Sequence, residues 1–160
     1  MSDCVGRYWD QFLASLPAET ERPSGFVEPV AFGFTSEDAT EISKLVLDEI
    51  KTATGSVLCS YEADGKAIPR VGDFWIVVDG NRHPVCVIRT TSVEIIAFDE
   101  VGEDYALWAG EGDRSLETWR RIYWQYIGRE CERIGRKLSA KAPLIMERFE
   151  IVYAEPLHAR

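Results

Sequence analysis

Residues 73–97 read DFWIVVDGNRHPVCVIRTTSVEIIA, the pattern of two strands joined by a turn. Two runs in this stretch, 74–78 and 85–93, are rich in β-branched and aromatic residues, the composition of strands. Asp79-Gly80-Asn81 separates them and reads as a hairpin connection. Just upstream, Pro69-Arg70-Val71-Gly72-Asp73 reads as a turn that launches the first run. Residues 56–61 and 147–154 have the same strand-like composition.

Outward from this stretch the apolar period lengthens to that of helices. Val5, Tyr8, Trp9, Phe12, Leu13 and Leu16 stand at helical spacing up to Pro17. A polar, proline-containing loop follows over residues 18–29. Thr35 and Asp38 then form the T-x-x-D start of a second helix. Its stripe of Ala39, Ile42, Leu45, Val46 and Ile50 carries it toward KTATGS (residues 51–56), where Gly55 is the expected stop. On the other side, FDEVGEDYALWAGEGD (residues 98–113) reads as a short helix and a glycine-bearing loop. Ser115 caps a long amphipathic helix through Trp119, Ile122, Tyr126 and Ile127 toward Ile134. No repeat, low-complexity tract or long linker interrupts the chain. The 160 residues are expected to form one α+β domain, a small mixed β-barrel with flanking helices.

Composition narrows the function. No stretch approaches the ~18 apolar residues of a membrane span, and the N-terminus carries acids that a secretory signal lacks. A cytoplasmic protein is expected. Cys4, Cys59, Cys86 and Cys131 form no C-x-x-C pair, and they read as small hydrophobes rather than a zinc or redox site. With only His83 and His158, neither a metal centre nor a cofactor is expected. The net charge of −9 disfavours a long grip on a polyanion. Residues 114–148 nevertheless carry nine basic and four acidic side chains, while residues 1–113 carry eight and twenty-one. The later segment therefore permits a local anion-binding patch.

Three groups of residues are candidates for chemistry. Lys51 and Thr54, three apart, would share one face of a helical turn. A desolvated lysine of lowered pKa beside a hydroxyl would activate a nucleophile. At a helix end the same lysine would merely complement the dipole, worth about 0.3–1 kcal/mol. Glu111-Gly112-Asp113-Arg114-Ser115 is the second group. Gly110 and Gly112 flank Glu111 and would let a ligand approach the backbone. Glu111 and Asp113 are candidates for a general base or for holding a divalent cation, and the helix start at Ser115 is a site for an anionic or carbonyl oxygen. The third group is Trp119, Tyr123, Trp124 and Tyr126 beside Arg120 and Arg121, an arrangement that stacks bases of single-stranded RNA or simply fills a core.

The ordered set KTAT, PRVGD, FDEV, GEGDRSLETWR and RFEIVY resembles the ASCH domain family, in particular its bacterial branch, over about residues 30–154. Residues before this span read as an N-terminal helical extension. The resemblance implies a PUA-like β-barrel, a fold associated with RNA binding, with a cleft where KTAT meets the GEGD loop. Family activities include RNA binding, ribonuclease action and hydrolysis of N4-acetylcytidine. In the last group a K-x-x-T pair and a glutamate are catalytic, which implies Lys51, Thr54 and, as the match to a second acid common in this branch, Glu111. The usual glutamate position itself falls at Ala109, and Tyr123 stands where this branch often has histidine.

Two functions follow as expectations. In the first, a hydrolase acts on RNA or a modified nucleoside, with Thr54 as nucleophile, Lys51 as its base or activator and Glu111 as proton shuttle. In the second, a non-catalytic module binds RNA or a nucleotide. Asp113, Arg114, Ser115, Arg120 and Tyr123 would contact the substrate in either case. Trp9 on the first helix would serve the core or a homodimer surface.

Overall fold

The computed structural model describes residues 3–154. Along the chain they form α1 (Asp3–Ser15), β1 (Pro29–Val30), α2 (Ser36–Leu47), β2 (Ala53–Val57), α3 (Leu58–Ala63), β3 (Phe74–Val78) and β4 (Pro84–Ala97). A short 3-10 turn (Phe98–Glu100), α4 (Glu103–Ala109), α5 (Leu116–Ile134) and β5 (Pro143–Tyr153) complete the order. The strands are hydrogen-bonded in the order β1-β3-β4-β5-β2, with β1 parallel to β3 and both β3–β4 and β2–β5 antiparallel. This is the expected α+β class with flanking helices, but the sheet is open. β1 and β2 are its two edges, so no barrel closes.

The described residues fall into two compact units, between which the chain passes several times. The first takes residues 3–49, 72–89 and 150–154. Here the stripe Val5, Tyr8, Trp9 and Phe12 of α1 packs on Ile76, Val78 and Val87. Trp9, 7% exposed, therefore belongs to this core. Thr35 caps α2 as its sequence predicts, its hydroxyl accepting from the Asp38 N–H at 3.0 Å. The hairpin loop spans residues 79–83, and Asp79 Oδ1 accepts from the N–H groups of Asn81 and His83. Cys4 lies exposed, against the expectation for it, whereas Cys86 of this unit is buried.

The second unit takes residues 50–71 and 90–149. Its core joins Ala53 and Val57 of β2 to Tyr105 and Ala109 of α4, to Trp119, Tyr123 and Ile127 of α5, and to Leu144 and Met146 of β5. Two sequence readings change here. α2 stops at Leu47, where Asp48 caps it and Glu49 takes a left-handed φ of 58°, so the helix never reaches Gly55. Gly55 lies instead in the middle of β2. The strand expected at residues 56–61 begins earlier, at Ala53, and gives way to α3 at Leu58. A short apolar run does not by itself distinguish a strand from a buried helical turn. Among the described residues no helix is long and apolar enough to cross a membrane.

Candidate functional site

Lys51 leads into β2 from the irregular stretch after α2, and its side chain is only 1% exposed. Its ammonium donates to Glu111 Oε2 at 2.8 Å and to the Ala109 carbonyl at 3.3 Å. One residue on, the Thr52 N–H donates to the Trp108 carbonyl at 2.6 Å. Lys51 therefore does sit at a helix C-terminus, but that of α4 and not α2. The last carbonyls of α4, which have no intrahelical partner, are met by a backbone amide and a cation.

The two glycines around Glu111 serve this docking. Gly110 ends α4 with a left-handed φ of 71°. A Cβ there would lie 2.6 Å from the Ile50 carbonyl oxygen, so only glycine lets residues 50–51 pass so closely. At Gly112 (φ 62°) a Cβ would lie 2.8 Å from the Thr118 methyl. Chain packing, rather than ligand approach, accounts for both.

Burial pulls the Lys51 pKa down, but Tyr123 and Glu111 outweigh it, and the net direction is above the ordinary 10.5. This direction runs against the expected lowering, because a carboxylate 2.8 Å away stabilises the charged form. Glu111, with 20% of its side chain exposed, is the member of the pair that a ligand can reach.

Thr54 does not share a helical face with Lys51. It lies on β2, where alternate side chains leave opposite faces. Gly55 faces Tyr123 and Met146, and Thr54 leaves on the other side, beside its cross-strand neighbour Glu147. Among the described residues its hydroxyl makes no hydrogen bond to Lys51 or Glu111. Glu147 is a buried acid that the sequence reading missed. It is 5% exposed and accepts from the Thr90 hydroxyl at 3.2 Å. Its signal was a charge at an inward position of ILE-MET-GLU-ARG-PHE, residues 145–149.

The remaining candidates have structural partners. Asp113 Oδ1 accepts from the Ser115 N–H at 2.9 Å and hydroxyl at 2.6 Å, and Ser115 Oγ accepts from the Thr118 N–H at 3.1 Å. Both residues thus complete the N-terminus of α5. Arg114 donates to the Leu107 carbonyl at 3.2 Å. Arg120 is exposed. Tyr123 is 7% exposed and stacks on Trp119 with centroids 4.5 Å apart, and its hydroxyl accepts from the Gly55 N–H at 3.3 Å. Its ring therefore belongs to the core.

The Ser115 hydroxyl, its N–H and the Thr118 hydroxyl hold the Asp113 carboxyl down to about 2. A depressed carboxyl contributes stability that is present above its ordinary 3.8 and lost as pH falls through about 2. The Ser115 amide resonance is accordingly expected to titrate with a midpoint near 2. A midpoint near 3.8 in an NMR titration would show that the cap does not hold the charged form.

A model of the ASCH domain matches residues 28–153. Among solved structures, the ASCH domain from Lactobacillus crispatus JV V101 aligns at 30% identity with a TM-score of 0.90, over 96% of this chain and 96% of that one. A protein from Enterococcus faecalis V583 aligns at 28% identity with a TM-score of 0.86, over 99% and 94%. The family model begins at residue 28, so α1 lies before its match. No curated protein matches the chain.

Proposed function

Because the chain belongs to the ASCH domain family, which is linked to RNA binding, we propose that it acts on RNA or a modified nucleoside at the Lys51–Glu111 pair. The observation that carries this reading is a fully buried ammonium 2.8 Å from a carboxylate that is itself reachable from outside. A cation desolvated in this way is costly unless paired, and removing Lys51 leaves the Glu111 carboxylate without this ammonium. Such a pair keeps Glu111 ionised and oriented. Glu111 then accepts a proton from the nucleophile and returns it to the leaving group as an amide or phosphodiester is cleaved. The placement of Thr54 on the far face of β2 favours water over its hydroxyl as the nucleophile.

A non-catalytic binding module is the second reading, and Ala109 favours it. At the family's usual glutamate position this chain has a buried, 3% exposed methyl, and only the backbone carbonyl is used. A hydrolysis screen with acetylated nucleosides and short RNAs separates the two. Under the first reading Glu111→Gln lowers turnover by about 10²-fold or more while substrate still binds. Binding without turnover by the wild type assigns the chain to the second.

A further inference from the structure

Arg148 is placed differently from Arg133 and Arg114 of its unit. Arg133 is paired with Asp64 and Glu130, and Arg114 donates to a carbonyl. Arg148 is half-buried on β5, and its guanidinium lies over the Trp108 ring, 3.7 Å from the centroid. Among the described residues no carboxylate or carbonyl accepts from it. Trp108 is fixed in turn, its ring edge-on to Tyr105 with centroids 5.2 Å apart and planes at 84°. The Tyr105 hydroxyl donates to Glu94, which occupies the nearby carboxylate. The result is a planar cation held by one face, with its edge N–H groups left for another partner.

Its position is equally specific. Arg148 is the cross-strand partner of Ala53, two residues from Lys51. The Trp108 carbonyl takes the Thr52 N–H, and the next carbonyl takes the Lys51 ammonium. Directly paired residues on antiparallel strands have Cβ atoms about 4.5–5.5 Å apart, so the Arg148–Trp108 stack borders the Lys51–Glu111 pair. A guanidinium stacked on an aromatic face presents a rigid fork matched to two oxygens of a phosphate. Lysine-like point charges lack that geometry.

We propose that Arg148, oriented by Trp108, is a phosphate-binding element of this site, so that its ligand is a nucleotide or an RNA rather than a free nucleoside. This rests on the reading of the Lys51–Glu111 pair given above. The test titrates the full chain with inorganic phosphate, cytidine and cytidine 5′-monophosphate, following the Arg148 Nε–H resonance by NMR and affinity by calorimetry. Phosphate and the monophosphate are expected to shift that resonance, and cytidine to leave it in place. The monophosphate should bind about tenfold more tightly than cytidine, and Arg148→Gln should erase that advantage without changing cytidine binding. An unmoved Nε–H in the wild type, or equal monophosphate affinity in Arg148→Gln, overturns the proposal. If phosphate moves Arg148 but cytidine and its monophosphate bind no better than phosphate alone, the anion site stands and the nucleoside reading of Lys51–Glu111 falls.

Discussion

Lys51→Met is expected to destabilise the protein by about 2–4 kcal/mol, far more than the ~0.3–1 kcal/mol of a lysine that merely complements a helix dipole. Methionine retains the apolar stem in its buried channel, so the loss isolates the charge. It leaves Glu111 without its cation and the Ala109 carbonyl without a donor. Urea denaturation measures the effect, and a double-mutant cycle with Glu111→Gln assigns it. The double variant should lose clearly less than the sum of the single ones, because the orphaned carboxylate is then gone. The pair also sets a pH dependence. A lysine whose pKa is raised on folding contributes stability that is complete below 10.5 and is lost as pH rises through the higher folded value. Wild-type stability should therefore decline above pH 10.5 more steeply than that of Lys51→Met. A variant within about 0.5 kcal/mol of wild type, the usual span for an inconsequential surface change, would remove the pair from any central role.

The second large effect is expected at Gly110. Gly110→Ala meets two penalties: a left-handed backbone and a Cβ 2.6 Å from the Ile50 oxygen. Gly135 provides an internal control, since it caps α5 at the same φ of 71° with nothing within 4 Å of a Cβ. Gly135→Ala should cost about 1–2 kcal/mol, the left-handed penalty alone. Gly110→Ala should cost at least ~2 kcal/mol more, because backbone must move to relieve the clash. Moving it also displaces Glu111 from Lys51, so any activity should fall along with stability. Equal thermal shifts in the two variants would mean that the segment at residues 50–51 gives way easily, and that the site is softer than its geometry implies.

The features legible in the sequence are local ones. The Thr35 capping box and the Ser115 cap were legible because each is completed by backbone within three residues. The stripe of α1 and the β3–β4 hairpin followed from side-chain period and turn chemistry, and the ordered motifs were enough to indicate the ASCH family. Tertiary structure decided the rest, starting from where α2 ends. With Glu49 in a left-handed conformation, Lys51 to Thr54 run into a strand and not along a helix. In a strand adjacent residues face opposite ways, so Thr54 turns toward Glu147 while Gly55 turns toward Tyr123. The pairing of Lys51 with Glu111 links residues sixty positions apart, and the stacking of Arg148 on Trp108 links residues forty apart. No local periodicity encodes either contact. The first arises because the C-terminal carbonyls of α4 need donors and the folded chain brings residues 51–52 past them, the second because β5 places Arg148 opposite Ala53.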